Sequence, residues 1–281
     1  MQIIKTIKDM QDLSRRLRSE KKTIGFVPTM GALHEGHLSL ARRSKEENNA
    51  TVVSIFVNPA QFGHKEDFRQ YPRDVDGDIA KLSPLDIDAV FIPEAGDMYP
   101  EGFSTLINLG SIGEVLCGIS RPGHFNGVAT VVAKLFNIVM PHKAYFGQKD
   151  FQQTAVIKKL VKELNFDVDI AVCPTVREPD GLAMSSRNSY LNQQERRAAL
   201  ILYRALKQGE GLTAKGVRDS SHIKAEMEAL IKAEPLAAIE YIAIIDPESL
   251  KNIETINGSA AICIAVKIGT TRLIDNLTVS V

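Results

Sequence analysis

The sequence predicts an α/β fold, with a parallel sheet in residues 1–175 and a smaller α+β domain in residues 176–281. Apolar runs rich in β-branched residues, such as residues 51–57, are typical of strands buried on both faces of a sheet. Segments of helical periodicity separate these runs, and this alternation indicates a Rossmann-like parallel sheet. The segment 174–181 contains two prolines and a glycine, breaks the alternation, and marks the predicted domain boundary.

The elements of the first domain follow from the spacing of apolar residues. Residues 7–18 place their apolar side chains on one helical face, which is typical of a helix that covers a sheet. Further helices are expected at 37–48, at 75–82, at 128–140 and from about Phe151. Strands are expected at 23–27, 51–57, 89–92, 144–146 and 168–172.

The second domain is predicted to contain two amphipathic helices followed by strands. The helices are expected at 200–206 and 223–231, and the strands at 239–245, 260–266 and 273–279. This part of the sequence contains no cluster of polar residues that would form a functional site by itself. We therefore expect it to act as a lid over a bound ligand, with a hinge near residues 174–181.

Composition and charge exclude several classes of function. Of the 281 residues, 44% are hydrophobic and 24% are charged, which is typical of a globular protein with a sizeable core. Lys plus Arg and Asp plus Glu both number 34, so the net charge indicates neither a nucleic-acid partner nor an anionic membrane surface. No run approaches the roughly 18 apolar residues that span a bilayer, and residues 1–22 lack an apolar signal core. We therefore expect a cytoplasmic protein with no membrane and no nucleic-acid partner.

The three cysteines are Cys117, Cys173 and Cys263, which lie far apart and form no C-x-x-C pair. This spacing predicts reduced, partly buried thiols in a cytosolic protein.

His34 and His37 lie at the most informative turn of the sequence. Residues 25–40 are predicted to form a strand, a loop containing Pro28 and Gly31, and a helix. Ligands of open parallel sheets bind beyond the carboxyl ends of the strands, and the amides of a helix N-terminus attract anions. Side chains three residues apart on a helix lie on one face. The two imidazoles are thus placed to hold a triphosphate while charge develops on its α-phosphorus.

Two other interpretations of this histidine pair remain open. In one, a histidine caps the helix while the other lies on the surface. In the other, the H-x-x-H spacing forms a metal site, although the zinc-protease motif has its histidines four residues apart.

Polar residues follow two further predicted strands. The long loop 58–73 contains Asn58 and Gln61, whose amides both donate and accept hydrogen bonds, as recognition of a hydroxy acid requires. Lys149 can contact phosphate oxygens as a point charge, and Asp150 is placed to cap the helix that follows. The alternative for each of these loops is a solvated surface.

Two further groups allow two interpretations each. Asp86 and Asp88 either hold magnesium or lie in a solvated turn. Arg121 and His124 either contact an anion or precede a helix that is capped by Asn126.

Four sequence blocks occur in the order found in one enzyme family. They are PTMGALHEGH at 28–37, FVNPAQF at 56–62, YFGQKD at 145–150 and MSSRN at 184–188. The first contains the His-x-Gly-His signature of the nucleotidyltransferase superfamily. Over essentially the whole chain, the set resembles the pantoate–β-alanine ligases, also called pantothenate synthetases. The resemblance implies ATP-dependent ligation of (R)-pantoate and β-alanine to pantothenate through a pantoyl adenylate, with magnesium and with release of AMP and pyrophosphate.

The resemblance also implies roles for individual residues. The residues that would stabilise charge on the phosphates are His34, His37, Lys149 and Arg187. Pantoate would contact Gln61 and Gln153, and β-alanine would contact Gln61. The implied ATP-binding residues are Met30, Gly31, Ala32, Leu33, His34, Glu35, Gly36, His37, Gly147, Gln148, Lys149, Asp150, Val176, Met184, Ser185, Ser186 and Arg187. The family also suggests a homodimer, while the magnesium ligands and any general base for the amine step stay unknown.

The block at 184–188 resembles the second superfamily motif, Lys-Met-Ser-Lys-Ser, with a departure. Ala183 precedes Met184, and Arg187 supplies the cation. Two hydroxyls and a bidentate guanidinium suit a departing pyrophosphate, whereas a hydroxyl-capped turn beside a surface arginine is the alternative. The departure argues against an aminoacyl-tRNA synthetase.

Two other functions remain open at this stage. One is a nucleotidyltransferase that adenylylates a phosphate-bearing small molecule, and the other is a nucleotide-binding sensor without turnover. The amide-rich loop at Asn58 and Gln61 argues against a phosphate-bearing acceptor, and a sensor has little use for the loop at 185–187.

Overall fold

The computed structural model describes residues 1–63 and 66–281, and these residues form two compact units. Unit 1 comprises Met1–Glu114, Gly118–Gly147 and Val156–Pro174. Unit 2 comprises Val115–Cys117, Gln148–Ala155 and Thr175–Val281. These units are defined by contacts, and the division of the chain into folding domains at residues 175 and 176 stays a prediction.

Unit 1 is built on a six-stranded sheet in which every pair of neighbouring strands is parallel. The strands are β1 (Gln2–Ile4), β2 (Ile24–Thr29), β3 (Ala50–Ile55), β4 (Ala89–Phe91), β5 (Lys143–Gly147) and β6 (Asp169–Cys173). Their order across the sheet is β1-β4-β3-β2-β5-β6. The chain progresses in one direction from β2 to β4 and in the other through β5 and β6. The switch point therefore lies between β2 and β5, where ligands of such sheets bind.

Helices cover this sheet because their apolar stripes face it. The helices of the first 174 residues are α1 (Ile7–Ser19), α2 (Glu35–Glu47), α3 (Val75–Leu82), α4 (Ala95–Met98), α5 (Cys117–Ser120), α6 (His124–Val139) and α7 (Phe151–Glu163). One core cluster joins Val27, Val53 and Val90 of the sheet to Leu40 and Ala41 of α2. This packing fixes the start of α2 beyond the carboxyl end of β2.

Unit 2 contains an antiparallel three-stranded sheet in the order β7-β8-β9. Its strands are β7 (Ala237–Ile245), β8 (Ser259–Ile268) and β9 (Thr271–Ser280), and its helices are α8 (Gln193–Ala198), α9 (Ile201–Ala214) and α10 (Ser220–Lys232). Fully buried side chains of α9, α10 and β8 form its core, among them Leu202, Ile223, Met227 and Ile262. This apolar core accounts for the helical and strand periodicities of the C-terminal sequence.

The structure confirms the predicted α/β class with a smaller α+β part, and it corrects several boundaries. The three-residue strand β1 was not predicted, because it is too short to show a period. The helix after the histidine loop begins at Glu35 rather than near His37. The predicted cap at Asn126 is wrong, because the helix begins at His124 and Gly123 occupies the cap position. Short 3₁₀ turns within the predicted loop 58–73 span Pro59–Gln61 and Asp67–Arg69, while His64 and Lys65 of that loop lie outside the described residues.

Several further expectations are tested by the structure. All three cysteines are buried free thiols, as predicted.

Lys45 Nζ lies 3.6 Å from a carboxylate oxygen of Asp86 and of Asp88, and Asp88 also accepts a hydrogen bond from the Thr51 amide. Both aspartates therefore have Lys45 as an ion-pair partner, and Asp88 is also hydrogen-bonded to strand β3. Among residues 1–63 and 66–281, no helix is long and apolar enough to cross a membrane.

Candidate functional site

The loop between β2 and α2 is a tight turn at the switch point of the sheet. Gly31 and Ala32 both have left-handed backbone conformations, with φ of 84° and 50°. Such a conformation is strained for alanine, so the surrounding structure must hold it. Thr29 begins this support, because its hydroxyl donates to Ser54 O and accepts from the Gly31 amide.

His34 and His37 both take part in capping α2. His34 Nδ1 accepts a hydrogen bond from the Gly36 amide at 3.2 Å, and His37 Nδ1 accepts one from the His34 amide at 3.3 Å. The ring centroids lie 4.1 Å apart. A nitrogen that accepts from an amide carries no proton, so each neutral ring has its proton on Nε2. The capping interpretation is confirmed for His34, and in the neutral form the hydrogen-bond donor of each ring is its Nε2–H group.

Asp78 of α3 holds the same loop and was missed by the sequence analysis. Its carboxylate is 1% exposed and accepts hydrogen bonds from the amides of Ala32 at 2.8 Å and Leu33 at 2.7 Å. Burial raises the pKa of this carboxyl, while the two amides and Lys81 oppose that rise. The Lys81 ammonium lies 3.8 Å from the carboxylate and donates to Leu33 O. Asp78 therefore accounts for the unusual backbone at Ala32.

Gln61 is the buried residue of a 3₁₀ turn that spans Pro59–Gln61, and its side chain is close to the histidine loop. The residue is 8% exposed, and its Nε2 lies 3.3 Å from the Sδ of Met30. The structure thus brings together a predicted pantoate contact and a predicted ATP contact within unit 1. Asn58, which precedes the turn, donates to Gln61 Oε1 at 2.9 Å.

Arg121 and His124 were considered as an anion site, and the structure gives them protein partners instead. The Arg121 guanidinium makes a bidentate ion pair with Glu66, at 2.5 and 2.9 Å, and contacts His124 Nε2 at 3.0 Å. His124 Nδ1 lies 2.8 Å from Gln61 O. These contacts hold the backbone of the turn that carries Gln61.

The block Gln148–Lys149–Asp150 forms a 3₁₀ turn that leads directly into α7. Within unit 2, this turn is hydrogen-bonded to residues of strand β9. Asn276, which is 3% exposed, donates from Nδ2 to the carbonyl oxygens of Gln148 and Lys149, each at 3.0 Å. Gln148 Nε2 donates to the Thr278 hydroxyl at 3.1 Å. Because the turn continues into the helix, the structure does not give Asp150 the separate capping position that the sequence analysis expected.

Gln153 lies on the first turn of α7 and is partly buried, and its neighbour Gln152 anchors that turn. Gln152 accepts from the Cys117 amide at 3.0 Å and donates to Val115 O at 2.8 Å. The start of α7 is thereby fixed to residues 115–117 within unit 2.

The predicted ATP contacts Val176 and Met184 are brought together by a hairpin. The Met184 amide donates to Val176 O at 3.0 Å, and Arg177 and Ala183 form an antiparallel bridge. Within unit 2, Arg177 makes a bidentate ion pair with the buried Asp275, at 2.6 and 2.9 Å. The hairpin is therefore attached to β9.

Ser185 ends this hairpin by capping a 3₁₀ turn, Ser186–Tyr190. Its hydroxyl accepts from the Arg187 amide at 3.3 Å, which is the hydroxyl-capped turn considered as an alternative. The capped turn places Arg187 at its start, where a cation can meet an anion beside amide groups.

Metal-binding potential is low in the part of the chain that the structure describes. There, no group of three or more His, Cys, Asp or Glu side chains could hold a metal ion. The two imidazoles of His34 and His37 use their Nδ1 atoms for backbone amides. The metal interpretation of the H-x-x-H spacing therefore receives no support from these residues.

Comparison with known sequences gives matches along nearly the entire chain. A sequence-family model for pantoate-beta-alanine ligase matches residues 2–278. The pantothenate synthetase of Thermodesulfovibrio yellowstonii is 54% identical over 280 residues, which cover 99% of this chain and 100% of the relative. That of Caldicellulosiruptor saccharolyticus is 53% identical over 281 residues and covers 100% of both.

Comparison with solved structures gives the same kind of match. The pantothenate synthetase from Thermus thermophilus superposes with a TM-score of 0.94 at 42% identity and covers 99% of both chains. The pantoate-beta-alanine ligase from Francisella tularensis, solved in complex with beta-gamma ATP and β-alanine, gives a TM-score of 0.82 at 38% identity. That match covers 99% of this chain and 97% of the other.

Proposed function

Because this chain belongs to the pantoate–β-alanine ligase family, we propose that it joins (R)-pantoate to β-alanine in an ATP-dependent reaction that forms pantothenate. The observation that carries the proposal is the pair of Nε2–H donors of His34 and His37 at the N-terminus of α2, beyond the carboxyl end of β2. Helix amides and imidazole donors together attract a polyphosphate.

The first step activates the acid. A pantoate carboxylate oxygen attacks the α-phosphorus of ATP, a new P–O bond forms, and the bond to the β-phosphate oxygen breaks to release pyrophosphate. Negative charge grows on the phosphate oxygens during this displacement. We assign its stabilisation to His34, His37, Lys149 and Arg187, since donors aimed at developing charge are the largest source of catalysis in such sites.

The second step forms the amide bond. The neutral amine of β-alanine attacks the carbonyl carbon of pantoyl adenylate, the bond to the AMP oxygen breaks, and the nitrogen loses a proton. AMP is a far better leaving group than the oxide of a free carboxylate, so the step needs mainly orientation in a site that excludes water. We assign pantoate to Gln61 and Gln153, and β-alanine to Gln61, and we assign no general base.

The residues that we propose to bind ATP belong to both units. From unit 1 the proposal uses Met30, Gly31, Ala32, Leu33, His34, Glu35, Gly36, His37 and Gly147. From unit 2 it uses Gln148, Lys149, Asp150, Val176, Met184, Ser185, Ser186 and Arg187. The family membership supports this set, and the hydrogen bonds within each unit keep its members together. The lid role of residues 176–281 is part of the same proposal.

Magnesium enters the proposal as the counter-ion of ATP. Mg²⁺ in nucleotide-using enzymes is commonly held by phosphates and water with one or two carboxylates. Since the described residues offer no cluster of three or more metal-binding side chains, we assign no protein ligand to the ion.

The proposed activity is tested by the exchange of labelled pyrophosphate into ATP. We expect exchange that depends on added pantoate and needs no β-alanine, since adenylate formation precedes the amine step. An enzyme that adenylylates a phosphate-bearing acceptor would ignore pantoate, and a sensor would give no exchange with any acceptor. Either outcome would overturn the proposal.

Asn276 provides a test of the contribution of the 148–150 block. Asn276→Leu removes both hydrogen bonds to the Gln148 and Lys149 carbonyls, so we expect the KM for ATP to rise about 5- to 30-fold. The control is Thr278→Val on the same strand, which removes a contact to the Gln148 side chain only and should change the KM less than about twofold. Equal effects of the two substitutions would contradict the assignment.

We also propose that the enzyme is a cytoplasmic homodimer, as the family resemblance suggests. Light scattering during gel filtration measures the mass in solution, and a mass of one chain at working concentration would refute the dimer.

A further inference from the structure

A chain of two hydrogen bonds runs from the partly buried Tyr99 to the buried Gln61 inside unit 1. Tyr99 Oη lies 2.7 Å from Asn58 Oδ1, and Asn58 Nδ2 lies 2.9 Å from Gln61 Oε1. Asn58 is 1% exposed and Gln61 8% exposed. Tyr99 is absent from the proposed reaction, although it is linked through one side chain to a residue that we assign to pantoate.

Two backbone groups identify the oxygen and the nitrogen of the Asn58 amide. The Ala60 amide contacts Oδ1 at 3.3 Å, and an amide can only donate, so that atom must be the oxygen. The Gly127 carbonyl contacts Nδ2 at 3.2 Å, and a carbonyl can only accept, so that atom must be the nitrogen. The turn packs closely on α6 here, because a Cβ on Gly127 would collide with Ala60 O. The assignment of the two Asn58 amide atoms therefore does not depend on Gln61.

The orientation of Gln61 follows from that of Asn58. Since Asn58 Nδ2 is a donor, the Gln61 atom that faces it must be the acceptor, Oε1. The Gln61 Nε2 group therefore points away from Asn58, toward Met30 Sδ at 3.3 Å. Thioether sulfur is a weak acceptor. Gln61 is thus held as a hydrogen-bond donor on the side of the histidine loop.

Tyr99 completes this arrangement as a donor to Asn58 Oδ1. Its ring is held by Phe103 at a centroid distance of 5.1 Å, and the Lys134 ammonium lies 5.8 Å from the ring. Burial raises the pKa of Tyr99 to about 12, so its hydroxyl keeps the proton that it donates. Without this bond, Asn58 Oδ1 would retain the longer contact with the Ala60 amide.

We propose that Tyr99 is a positioning residue for pantoate, which acts through Asn58 to hold the Gln61 amide with its NH₂ group toward the substrate. The arrangement selects a substrate that offers an oxygen acceptor, such as the carboxylate or a hydroxyl of pantoate, and it disfavours a group that can only donate. This inference rests on the proposed function, since it assumes that Gln61 contacts pantoate.

Tyr99→Phe tests the proposal, because it removes the hydroxyl and keeps the packed ring. We expect the KM for pantoate to rise about 3- to 10-fold, as one hydrogen bond predicts, while the KM for ATP stays within about twofold. Both constants are measured by pantoate-dependent pyrophosphate exchange. A variant with an unchanged KM for pantoate would overturn the inference.

Tyr145→Phe is the matched control. This tyrosine is fully buried in the same unit, and its hydroxyl donates to Glu47 and accepts from Asn48, outside the site. The substitution should lower thermal stability at least as much as Tyr99→Phe and leave both KM values unchanged. If both variants raise the KM for pantoate alike, Tyr99 has only a general structural role.

A double-mutant cycle tests whether Tyr99 acts through Asn58. In an Asn58→Leu background the acceptor of the tyrosine hydroxyl is gone, so Tyr99→Phe should add less than about twofold to the KM for pantoate. Additive effects would contradict the inference. Absence of pantoate-dependent exchange in the unmodified protein would instead refute the proposed function itself, so the two failures are distinguishable.

Discussion

Replacement of His37 by glutamine is expected to lower the rate of pantoate-dependent pyrophosphate exchange about 10²- to 10³-fold, the usual loss when one donor to a developing charge is removed. The substitution separates the two roles of the residue. Glutamine three residues after a helix cap can accept from the cap amide, as His37 Nδ1 does from the His34 amide. When the glutamine oxygen accepts from the cap amide, its N–H donors point in a different direction from the imidazole Nε2–H, so the donor at that position is lost. The fold and the start of α2 should therefore be retained.

Circular dichroism and the unfolding temperature measure that retention. His37→Ala, which removes both roles, should lose activity to a similar extent and also lose some thermal stability, since capping contributes about 1 kcal/mol. Near-normal exchange by the alanine variant would show that His37 does not act on ATP. A glutamine variant that is as destabilised as the alanine variant would show that its activity loss cannot be ascribed to the imidazole.

Replacement of Asp78 by alanine is the second large effect that we expect. The buried amide of Leu33 and the partly buried amide of Ala32 would lose their acceptor, at a cost of about 2–4 kcal/mol in the free energy of unfolding. The left-handed backbone at Ala32 would lose its support, so the histidine loop would relax. We therefore expect the kcat/KM for ATP to fall at least about 10²-fold. Urea unfolding and pyrophosphate exchange measure the two effects.

Asp88→Ala provides the matched control for this substitution. Asp88 also accepts from a backbone amide of unit 1, that of Thr51, but it lies beside Lys45 and away from the histidine loop. It should lower stability without changing the KM for ATP. If Asp78→Ala is destabilised yet keeps full activity at low temperature, Asp78 does not organise the site.

Much of the fold was predictable because its signals are local. The strands β2, β3 and β5 are mainly apolar, and the covering helices have apolar stripes, so each is recognisable within a window of a few residues. The glycine-containing loop before α2 was predictable for the same reason. Its pattern of Pro28, Gly31 and two histidines lies within ten residues of sequence.

The supporting residues of the site were not predictable in this way. Asp78 lies 46 residues beyond Ala32 and Asn276 lies 127 beyond Lys149, and no local pattern connects either pair. Asp78 lies on the buried face of a helix and Asn276 lies at a buried position of a strand. Both are exceptions to the usual preference for apolar side chains at such positions. A polar residue at a buried position of a predicted element was the available signal. It identifies a candidate without naming its partner.

The consecutive residues Asp275 and Asn276 of β9 anchor two separate loops of unit 2. One holds Arg177 of the hairpin that joins Val176 to Met184, and the next holds the carbonyls of Gln148 and Lys149. Two loops far apart in the chain thus share a single anchorage of consecutive residues. A substitution that displaces one loop should also displace the other. The effects of two substitutions, one in each loop, should therefore deviate from the sum of their separate effects.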